Sequence, residues 1–347
     1  MKRKLRIKDV EISDDSNVFV IAEIGHNHQG SIETCERLFT EASSAGATAV
    51  KLQKRDNKSL FTKEFYDSAY EGPTSFGKTY GEHREFLEFD FKAYKHLKKY
   101  AENLGLIFFA TAFDQKSLEF LVELKTPAIK LASGDIKSLP FIRKVANTGL
   151  PVIMSTGGAT MHDIELAISH VDPEQCALLQ CTAAYPAEAE LMDLRVIQTF
   201  REAFPSTVIG LSSHDKGILF PVIAATLGAR VIEKHFTLDR TMKGTDHAFS
   251  LEPQGMRKMV RDLGLGISSL GSSAKRVHDQ ESRGVRKMAK MMVWASSLAE
   301  GHVITEHDIE FKSPMDGMSP QHFQEVLGKK LNRLVREDDP VVLSDLV

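Results

Sequence analysis

The sequence has little cysteine and no long apolar run. Three cysteines occur among 347 residues, Cys35, Cys176 and Cys181, too few and too scattered for a disulfide framework or a cysteine-rich zinc site. No apolar run reaches the roughly 18 residues of a membrane-spanning helix. The basic N-terminus has no apolar segment behind it, so we expect no signal peptide and a cytoplasmic protein.

An excess of charge of either sign is also missing. The chain carries 44 Lys and Arg against 47 Asp and Glu, a net charge of −3. No surplus of basic side chains is available to displace phosphate counterions, so we expect no nucleic-acid partner. Hydrophobic residues make up 42% and charged residues 26%, which is typical of a soluble globular protein. The length suggests about two domains.

From residue 18 onward, short apolar runs alternate with longer segments of helical periodicity. Continuous apolar runs are typical of parallel strands buried on both faces. Eight strand–helix units in about 250 residues predict an α/β protein with a (β/α)8 TIM barrel over residues 1–271, preceded by an extension at 1–17. An open doubly wound sheet is the alternative, but no GxGxxG follows the first strand. The predicted strands cover 18–25, 49–55, 107–113, 128–133, 151–156, 176–182, 206–213 and 231–236.

Three other segments stand apart from this alternation. Residues 56–90 form a long connection after the second strand. Its aromatic side chains, which include Phe61, Phe65, Tyr66, Tyr70, Phe76 and Tyr80, predict a lid that packs. Residues 272–290 are rich in charge and serine, which predicts a linker. Residues 291–347 hold the only tryptophan, Trp294. They form a second domain that is small enough to be only marginally stable by itself.

Polar side chains lie at the ends of all the predicted strands, where the active sites of parallel barrels lie. A single lysine or histidine at such a place is more often structural. Polar groups at all eight strand ends instead indicate one functional rim. The side chains in question include Glu23, His26, Lys51, Gln53, Thr111, Lys130, Ser133, Ser155, Gln180, Tyr185, Ser212, His214, Glu233 and His235.

His214 and His235 come from adjacent final strands. Two imidazoles at neighbouring strand ends can meet at one metal ion. Glu23 or Glu233 could complete or orient such a metal shell. A hydrogen-bonded histidine pair without a metal is the alternative.

Lys51 and Lys130 are the cations of this rim. Beside hydroxyl donors, they suit a small ligand that carries both a phosphate and a carboxylate. A lysine that forms a Schiff base is the other use of a buried amine. The hydroxyls come from Thr111, Ser133, Ser155 and Ser212.

The rim motifs closely resemble those of the sialic acid synthase family, which includes N-acetylneuraminate, legionaminate and pseudaminate synthases. The segment from about Val293 through ITEHDIEFKSPMDGMSP to LGKKL is similar to the antifreeze-like (SAF) domain of that family. The barrel motifs are AEIGHNHQGS (22–31), VKLQ (50–53), FFATAFD (108–114), IKLASGD (129–135), VIMSTGG (152–158), QCTAAYPA (180–187), IGLSSHDKG (209–217) and VIEKHFTLDRTMKGTDHAFSLEP (231–253).

The resemblance implies a reaction. Phosphoenolpyruvate (PEP) condenses through C3 with the aldehyde of an N-acetylmannosamine-type sugar, and C–O cleavage releases phosphate. A divalent metal, Mn²⁺ or Mg²⁺, polarises the aldehyde. A homodimer is implied, in which the SAF domain caps the partner's site.

The resemblance also implies roles for the rim residues. His214 and His235 would hold the metal. Lys51, Thr111, Lys130, Ser133, Ser155 and Ser212 would bind PEP. Glu23, Gln53, Tyr185 and Asp246 would contact the sugar. Glu23, Lys51, Lys130 and Glu233 are the candidate catalytic residues.

Two positions depart from the neuraminate pattern. Ala183 stands where that pattern has Asn, and Ser313 stands where it has an Arg that reaches the sugar. Without that Arg, a bidentate donor to the sugar is lost, and the sugar that is recognised can change. A 2,4-diacetamido sugar of the legionaminate or pseudaminate type is therefore an alternative acceptor. A Schiff-base aldolase and a non-catalytic sugar-binding homologue are the competing functions.

Overall fold

The computed structural model describes residues 3–347. The chain divides into two compact units, one ending at Gly271 and the other spanning Ser272–Val347. Within residues 3–347, no helix combines the length and apolar character that crossing a bilayer requires.

The first unit begins with an antiparallel hairpin and continues as a closed barrel of eight parallel strands. This confirms the predicted (β/α)8 fold, and each predicted strand overlaps an observed one. The hairpin strands are β1 (Lys4–Ile7) and β2 (Val10–Ser13). The barrel strands are β3 (Phe19–Gly25), β4 (Ala49–Lys54), β5 (Ile107–Ala112), β6 (Ile129–Leu131), β7 (Val152–Ser155), β8 (Cys176–Cys181), β9 (Val208–Ser213) and β10 (Val231–His235).

Helices follow the barrel strands. Several begin at a side chain that accepts a backbone N–H of the first turn, as Ser31, Asp114 and Thr160 do, which satisfies an otherwise unpaired donor. The helices of this unit are α1 (Ile32–Ser44), α2 (Asn57–Leu60), α3 (Lys63–Tyr66), α4 (Tyr80–Phe86), α5 (Phe91–Asn103), α6 (Gln115–Glu123), α7 (Leu139–Ala146), α8 (Met161–Ile168), α9 (Val196–Ala203), α10 (Leu219–Thr226) and α11 (Pro253–Leu270).

Side chains alternate along each strand, so every second residue points into the barrel interior. Near the amino ends of the strands, the inward residues are apolar, for example Ile21 and Phe109. The hairpin residues Leu5, Ile7 and Ile12 belong to the same buried cluster, so the hairpin covers this end of the barrel. Residues 1–17 were expected to be an extension only, and sequence analysis missed this packing.

Gly210 allows close strand packing in that layer. A Cβ at Gly210 would lie 2.4 Å from the Val231 carbonyl oxygen and 2.5 Å from Leu179 Cδ2. Atoms cannot approach that closely in a packed core. The inward position of β9 therefore has no room for a side chain below Ser212.

The long connection at 56–90 is not irregular, because it contains α2, α3 and α4. Its aromatic rings pack on one another, as expected. The ring centroids of Phe65 and Tyr80 are 4.5 Å apart, and those of Phe76 and Phe86 are 5.0 Å apart in a stacked arrangement. Sequence analysis found the aromatic packing but missed the helices, which are too short to show a periodic pattern.

The second unit contains an antiparallel pair, β11 (Met291–Trp294) and β12 (Ile309–Lys312), and the helices α12 (Ser282–Met288) and α13 (Phe323–Val326). Trp294 is fully buried in its core. The predicted linker at 272–290 includes α12. Arg286 in this helix pairs with Asp316 at 2.5 Å, so part of that segment is bound to the second unit rather than free.

Candidate active site

A cavity of about 630 Å³ opens at the carboxyl ends of the barrel strands. Every residue of the predicted PEP, sugar, catalytic and metal sets lines it. These residues are Glu23, Lys51, Gln53, Thr111, Lys130, Ser133, Ser155, Tyr185, Ser212, His214, Glu233, His235 and Asp246.

Strand register explains why these side chains meet. Glu23 lies opposite Lys51 on β4 and opposite His235 on β10. Thr111 lies opposite Lys130. Since paired residues point to the same side of a sheet, the register turns these groups together into the barrel interior.

Lys51 is buried between two carboxyl groups. Its Nζ lies 2.6 Å from Glu23 Oε2 and 3.9 Å from Glu233 Oε2. It also donates to Thr111 Oγ1 at 2.6 Å. Lys51 is therefore charge-compensated and held in place, as a buried ammonium must be.

Lys130 is the second buried cation. Its Nζ donates to Ser155 Oγ at 2.6 Å and to the Leu131 carbonyl at 2.7 Å. Glu233 Oε1 lies 3.9 Å away and accepts a hydrogen bond from Ser212 at 3.0 Å. One carboxylate thus serves both lysines.

The pKa values of Glu23 and Glu233 are shifted in opposite directions. Burial, together with the nearby Glu233 charge, raises the pKa of Glu23 although Lys51 opposes the shift. Burial alone would raise the pKa of Glu233 as well, but Lys130 and Lys51 hold it below its usual range. Glu233 is therefore an anion at neutral pH. Glu23 can carry a proton, which suits a group that gives or takes one during a reaction.

Small residues line the cavity on the side of the two lysines. Ser133 Oγ accepts a hydrogen bond from the Gly157 backbone N–H at 3.0 Å and donates to Cys181 Sγ at 3.4 Å. A Cβ at Gly157 would lie 2.9 Å from Ser133 Oγ and 3.0 Å from Ala183 Cβ. The glycine keeps this side open to ligand.

The two histidines lie side by side, with ring centroids 5.5 Å apart. His214 Nδ1 is 3.0 Å from the Thr182 carbonyl. A carbonyl only accepts, so Nδ1 carries the hydrogen and Nε2 keeps its lone pair. His235 Nδ1 is buried without a hydrogen-bond partner, and Asp246 Oδ2 lies 3.8 Å away.

This donor set fits two ligands of a metal ion. A buried imidazole nitrogen without a partner is unusual, and a cation would satisfy it. Among residues 3–347, no three His, Cys, Asp or Glu side chains are grouped so that they could hold a metal together. Water or substrate oxygens would have to supply the remaining ligands.

Gln53 and Tyr185, two of the predicted sugar contacts, also line the cavity. The Gln53 amide donates to Glu23 Oε1 at 2.7 Å. The Tyr185 ring lies beside that of His214 in a tilted arrangement, with the ring centroids 4.2 Å apart, and Tyr185 is 57% exposed. Ala183 also lines the cavity. Ser313 lies in the second unit, where its hydroxyl donates to the Met288 carbonyl.

Three basic residues in the cavity were given no role by sequence analysis: His26, Arg55 and Arg84. Arg55 follows Lys51 and Gln53 at the same two-residue spacing, so strand alternation could have identified it. Arg84 lies on α4, and no local pattern connects it with the barrel mouth.

Comparisons with known proteins identify the family of this chain. The family model described as the NeuB family matches residues 38–275, and the SAF domain model matches residues 290–347. The N-acetylneuraminate-9-phosphate synthase of Homo sapiens is 38% identical over 95% of this chain and 92% of its own length.

A Campylobacter jejuni N,N'-diacetyllegionaminic acid synthase is 32% identical over 92% of this chain and 97% of its own length. Among solved structures, an N-acetylneuraminic acid (sialic acid) synthetase from Leptospira borgpetersenii is similar. Its TM-score is 0.72 and its identity 31%, and the match covers 82% of this chain and 96% of that chain.

Proposed function

We propose a reaction for this chain from the premise that it belongs to the NeuB family and carries a C-terminal SAF domain. The chain condenses PEP with an N-acetylmannosamine-type aldose and water to give a nonulosonic acid and inorganic phosphate. One observation carries this proposal. Two buried lysines and two buried carboxyls of unequal pKa share one cavity.

Lys51 and Lys130 bind the anionic groups of PEP. The two ammonium groups lie near hydroxyls that can donate to phosphate or carboxylate oxygens. Charge-assisted hydrogen bonds of this kind are about twice as strong as neutral ones. Ser133 and Ser212 supply further hydroxyls on the same side.

Glu23 and Glu233 assist the bond changes. PEP C3 forms a bond to the aldehyde carbon, and Glu23 in its acid form protonates the aldehyde oxygen. Glu233, as an anion, stabilises the positive charge that develops at C2 of PEP and accepts a proton from the water that adds there. The bond between C2 and the phosphate oxygen then cleaves, and the C2 hydroxyl passes its proton to the departing phosphate and becomes the keto group. Proton exchange with solvent returns Glu23 to its acid form and Glu233 to its anion.

His214 and His235 would hold a divalent metal, Mn²⁺ or Mg²⁺, which when bound supplies Lewis-acid polarisation of the aldehyde. Measuring the metal content distinguishes a metal site from a histidine pair with a purely structural role. We expect His214→Ala and His235→Ala to lose bound metal in elemental analysis after dialysis. His162→Ala, at an exposed position of α8, is the matched control. Wild-type metal content in both cavity variants would contradict the assignment.

The acceptor is an N-acyl aminohexose. Ala183 offers no amide to a ligand in the cavity, so N-acetylmannosamine and 2,4-diacetamido sugars both belong in the test. We also propose a homodimer, following the family resemblance.

The decisive experiment measures phosphate release from PEP across a panel of aldoses with Mn²⁺ or Mg²⁺ present. Release that depends on one aldose and stops with chelator supports the synthase. Borohydride trapping of a pyruvate adduct on Lys51 or Lys130 would instead establish an aldolase. No PEP cleavage with any aldose, together with sugar binding, would indicate a non-catalytic homologue.

A further inference from the structure

A lysine is completely buried on the outer face of the barrel. The side chain of Lys234, on β10, has no exposed surface, and that of its partner Asp215 is 4% exposed. Lys234 Nζ forms an ion pair with Asp215 Oδ1 and also donates to the Asp215 carbonyl at 2.5 Å. Neither residue is among those that line the cavity, and the reaction described above uses neither.

Apolar side chains occupy the preceding outer positions of the same strands. Alternate residues of a strand share one face, so Ile232 precedes Lys234 on the outer face of β10. Leu211 precedes Ser213 on the outer face of β9 in the same way. Ile232 and Leu211 belong to the apolar core that the strands share with the surrounding helices. Replacing a buried ion pair by apolar side chains is often neutral or stabilising, so the charges of Lys234 and Asp215 call for a role other than stability.

The ion pair lies where the regular pairing of β9 with β10 ends. The last paired residues of these two strands are Ser213 and Lys234. His214 is the first residue after β9, and His235 is the last residue of β10. The two histidines therefore lie just beyond the last paired position, where the backbone ladder no longer fixes the distance between the two strand ends.

The Asp215 carboxylate joins the segment around His214 to β10. It accepts a hydrogen bond from the hydroxyl of Ser213, the residue before His214. It also accepts from the backbone N–H of Gly217 at 2.7 Å. Lys234 is the third donor to this carboxylate and the only one of the three that belongs to β10. The ion pair therefore connects the end of one strand to the end of the next.

Each partner of the ion pair is the direct neighbour of a histidine. Asp215 follows His214, and Lys234 precedes His235. Successive side chains along a strand point to opposite faces, so the ion pair lies outside the barrel wall and the two imidazoles lie inside it. The ring centroids of the histidines are 5.5 Å apart. Metal ligands must be held within about 0.5 Å of their productive geometry, and the ion pair is placed where it can set this separation.

We propose that the Lys234–Asp215 ion pair is a positioning element. It holds the ends of β9 and β10 together from outside the barrel, and thereby sets the spacing of His214 and His235 and their affinity for a divalent metal. Charge-assisted hydrogen bonds fix distance and direction, whereas apolar contacts are non-directional. This inference rests on the proposed function, which assigns a metal to the two histidines.

The test measures Mn²⁺ binding to the full-length protein after chelator treatment, from the electron paramagnetic resonance signal of free Mn²⁺. The double variant with Lys234→Met and Asp215→Asn removes both charges, and the Asn oxygen can still accept from the Gly217 N–H. Its urea midpoint should stay close to that of wild type, because no unpaired charge is left buried. Its Kd for Mn²⁺ should rise about 10- to 100-fold, as it does when groups that support metal ligands are lost.

The Lys54–Glu88 ion pair provides a matched control. Lys54 faces outward at the end of β4 and lies 2.8 Å from Glu88, and β4 pairs with neither β9 nor β10. The double variant with Lys54→Met and Glu88→Gln should therefore keep the wild-type Kd for Mn²⁺.

The single variant Lys234→Met separates positioning from stability. It leaves the Asp215 carboxylate buried without its cation, so it should lower the urea midpoint as well as the Mn²⁺ affinity. If the ion pair served stability alone, Mn²⁺ affinity would recover together with the urea midpoint in the double variant with Asp215→Asn. Wild-type Mn²⁺ affinity in that double variant overturns the positioning role and leaves the synthase intact.

A smaller change decides the question if the double variant does not fold. Ser213→Ala removes a single hydroxyl donor to the Asp215 carboxylate. Its Kd for Mn²⁺ should rise about 2- to 10-fold, as expected for the loss of one hydrogen bond. An unchanged Kd in this variant overturns the positioning role.

Failure of the metal assignment has a different signature. If wild type binds no Mn²⁺, the proposed metal site fails, and crystal structures of wild type and the double variant judge the ion pair. An increase of more than about 0.5 Å in the separation of the His214 and His235 rings supports the positioning role. A separation that stays at 5.5 Å overturns it.

Discussion

Lys130 lies on the inner face of β6, where burial changes the behaviour of an ordinary side chain. Burial lowers its pKa, although the Glu233 charge opposes the shift. The ammonium keeps fixed partners in Ser155 and the Leu131 carbonyl. A ligand oxygen that meets this group gains a preorganised donor in a poorly solvated place.

We expect Lys130→Met to raise the KM for PEP about tenfold or more, because a charge-assisted contact to an anion is lost. Lys51 lies 3.9 Å from Glu233 and keeps that carboxylate partly compensated, so the fold should survive. Steady-state kinetics at saturating sugar measure the effect.

Lys137→Met is the control for that substitution, since it removes an exposed lysine that pairs with Asp163 on the outside of the barrel. Its KM for PEP should match wild type. An unchanged KM in Lys130→Met would remove this lysine from the PEP site.

At the scale of elements, the β1–β2 hairpin packs against the apolar layer of the barrel interior that lies below the site. Ile7 is fully buried in the same cluster as the lower barrel layer. The strand ends above that layer hold the lysines and carboxyls. A substitution that loosens the hairpin packing should therefore lower the free energy of unfolding more than it changes catalysis.

Ile7→Ala should destabilise the protein by about 2–5 kcal/mol, because it opens a cavity in a packed core. Leu270→Ala, at a half-exposed position near the end of α11, should cost about 0.5 kcal/mol or less. Urea denaturation monitored by far-UV circular dichroism compares the free energies of unfolding of the two variants. Equal losses would show that the hairpin does not belong to the core.

The hairpin is also anchored by charge. Asp14 pairs with Arg201 at 2.6 Å and with Arg3 at 3.2 Å. Burial alone would raise the pKa of Asp14, but these two arginines lower it. A lowered folded pKa stabilises the fold above the unfolded pKa of about 3.9, and this contribution is lost as the pH falls through the folded value.

Asp14→Asn should therefore reduce the free energy of unfolding by about 0.2–1 kcal/mol at pH 6, as partly exposed ion pairs do. The difference from wild type should shrink as the pH is lowered below about 4. Asp9→Asn, in the exposed hairpin turn, controls for general charge loss. A difference that grows in acid would contradict the sign.

At the scale of the whole molecule, each unit has its own core. All residues that line the cavity belong to the first unit, between Glu23 and Asp246. The second unit contains Ser313, at the position where the family resemblance implies an Arg that reaches the sugar.

A protein that ends at Gly271 should fold and bind PEP with wild-type affinity, because its cavity lining is complete. It should lose sugar turnover if the second unit serves the partner's site in the proposed homodimer. Calorimetric PEP titration, sedimentation and phosphate release measure these properties. Full turnover by the shortened chain, or a fully active monomer of the whole chain, would refute the dimer model.

The sequence by itself determined the barrel and most of the site. Apolar runs and their polar ends are local patterns, and alternation along a strand decides which side chains point inward. Lys51, Gln53, Glu233 and His235 could therefore be assigned to one rim without coordinates. The parallel topology then brought the carboxyl ends of all eight strands to the same end of the barrel.

Only the tertiary structure decided the rest. The hairpin packing, and the meeting of Arg84 with His26, join segments far apart in the chain that no short pattern connects. The opposite pKa shifts of Glu23 and Glu233 depend on burial and on which lysines lie nearby. Electrostatic energies depend on distance and solvent exposure in three dimensions, and neither quantity is present in a linear sequence.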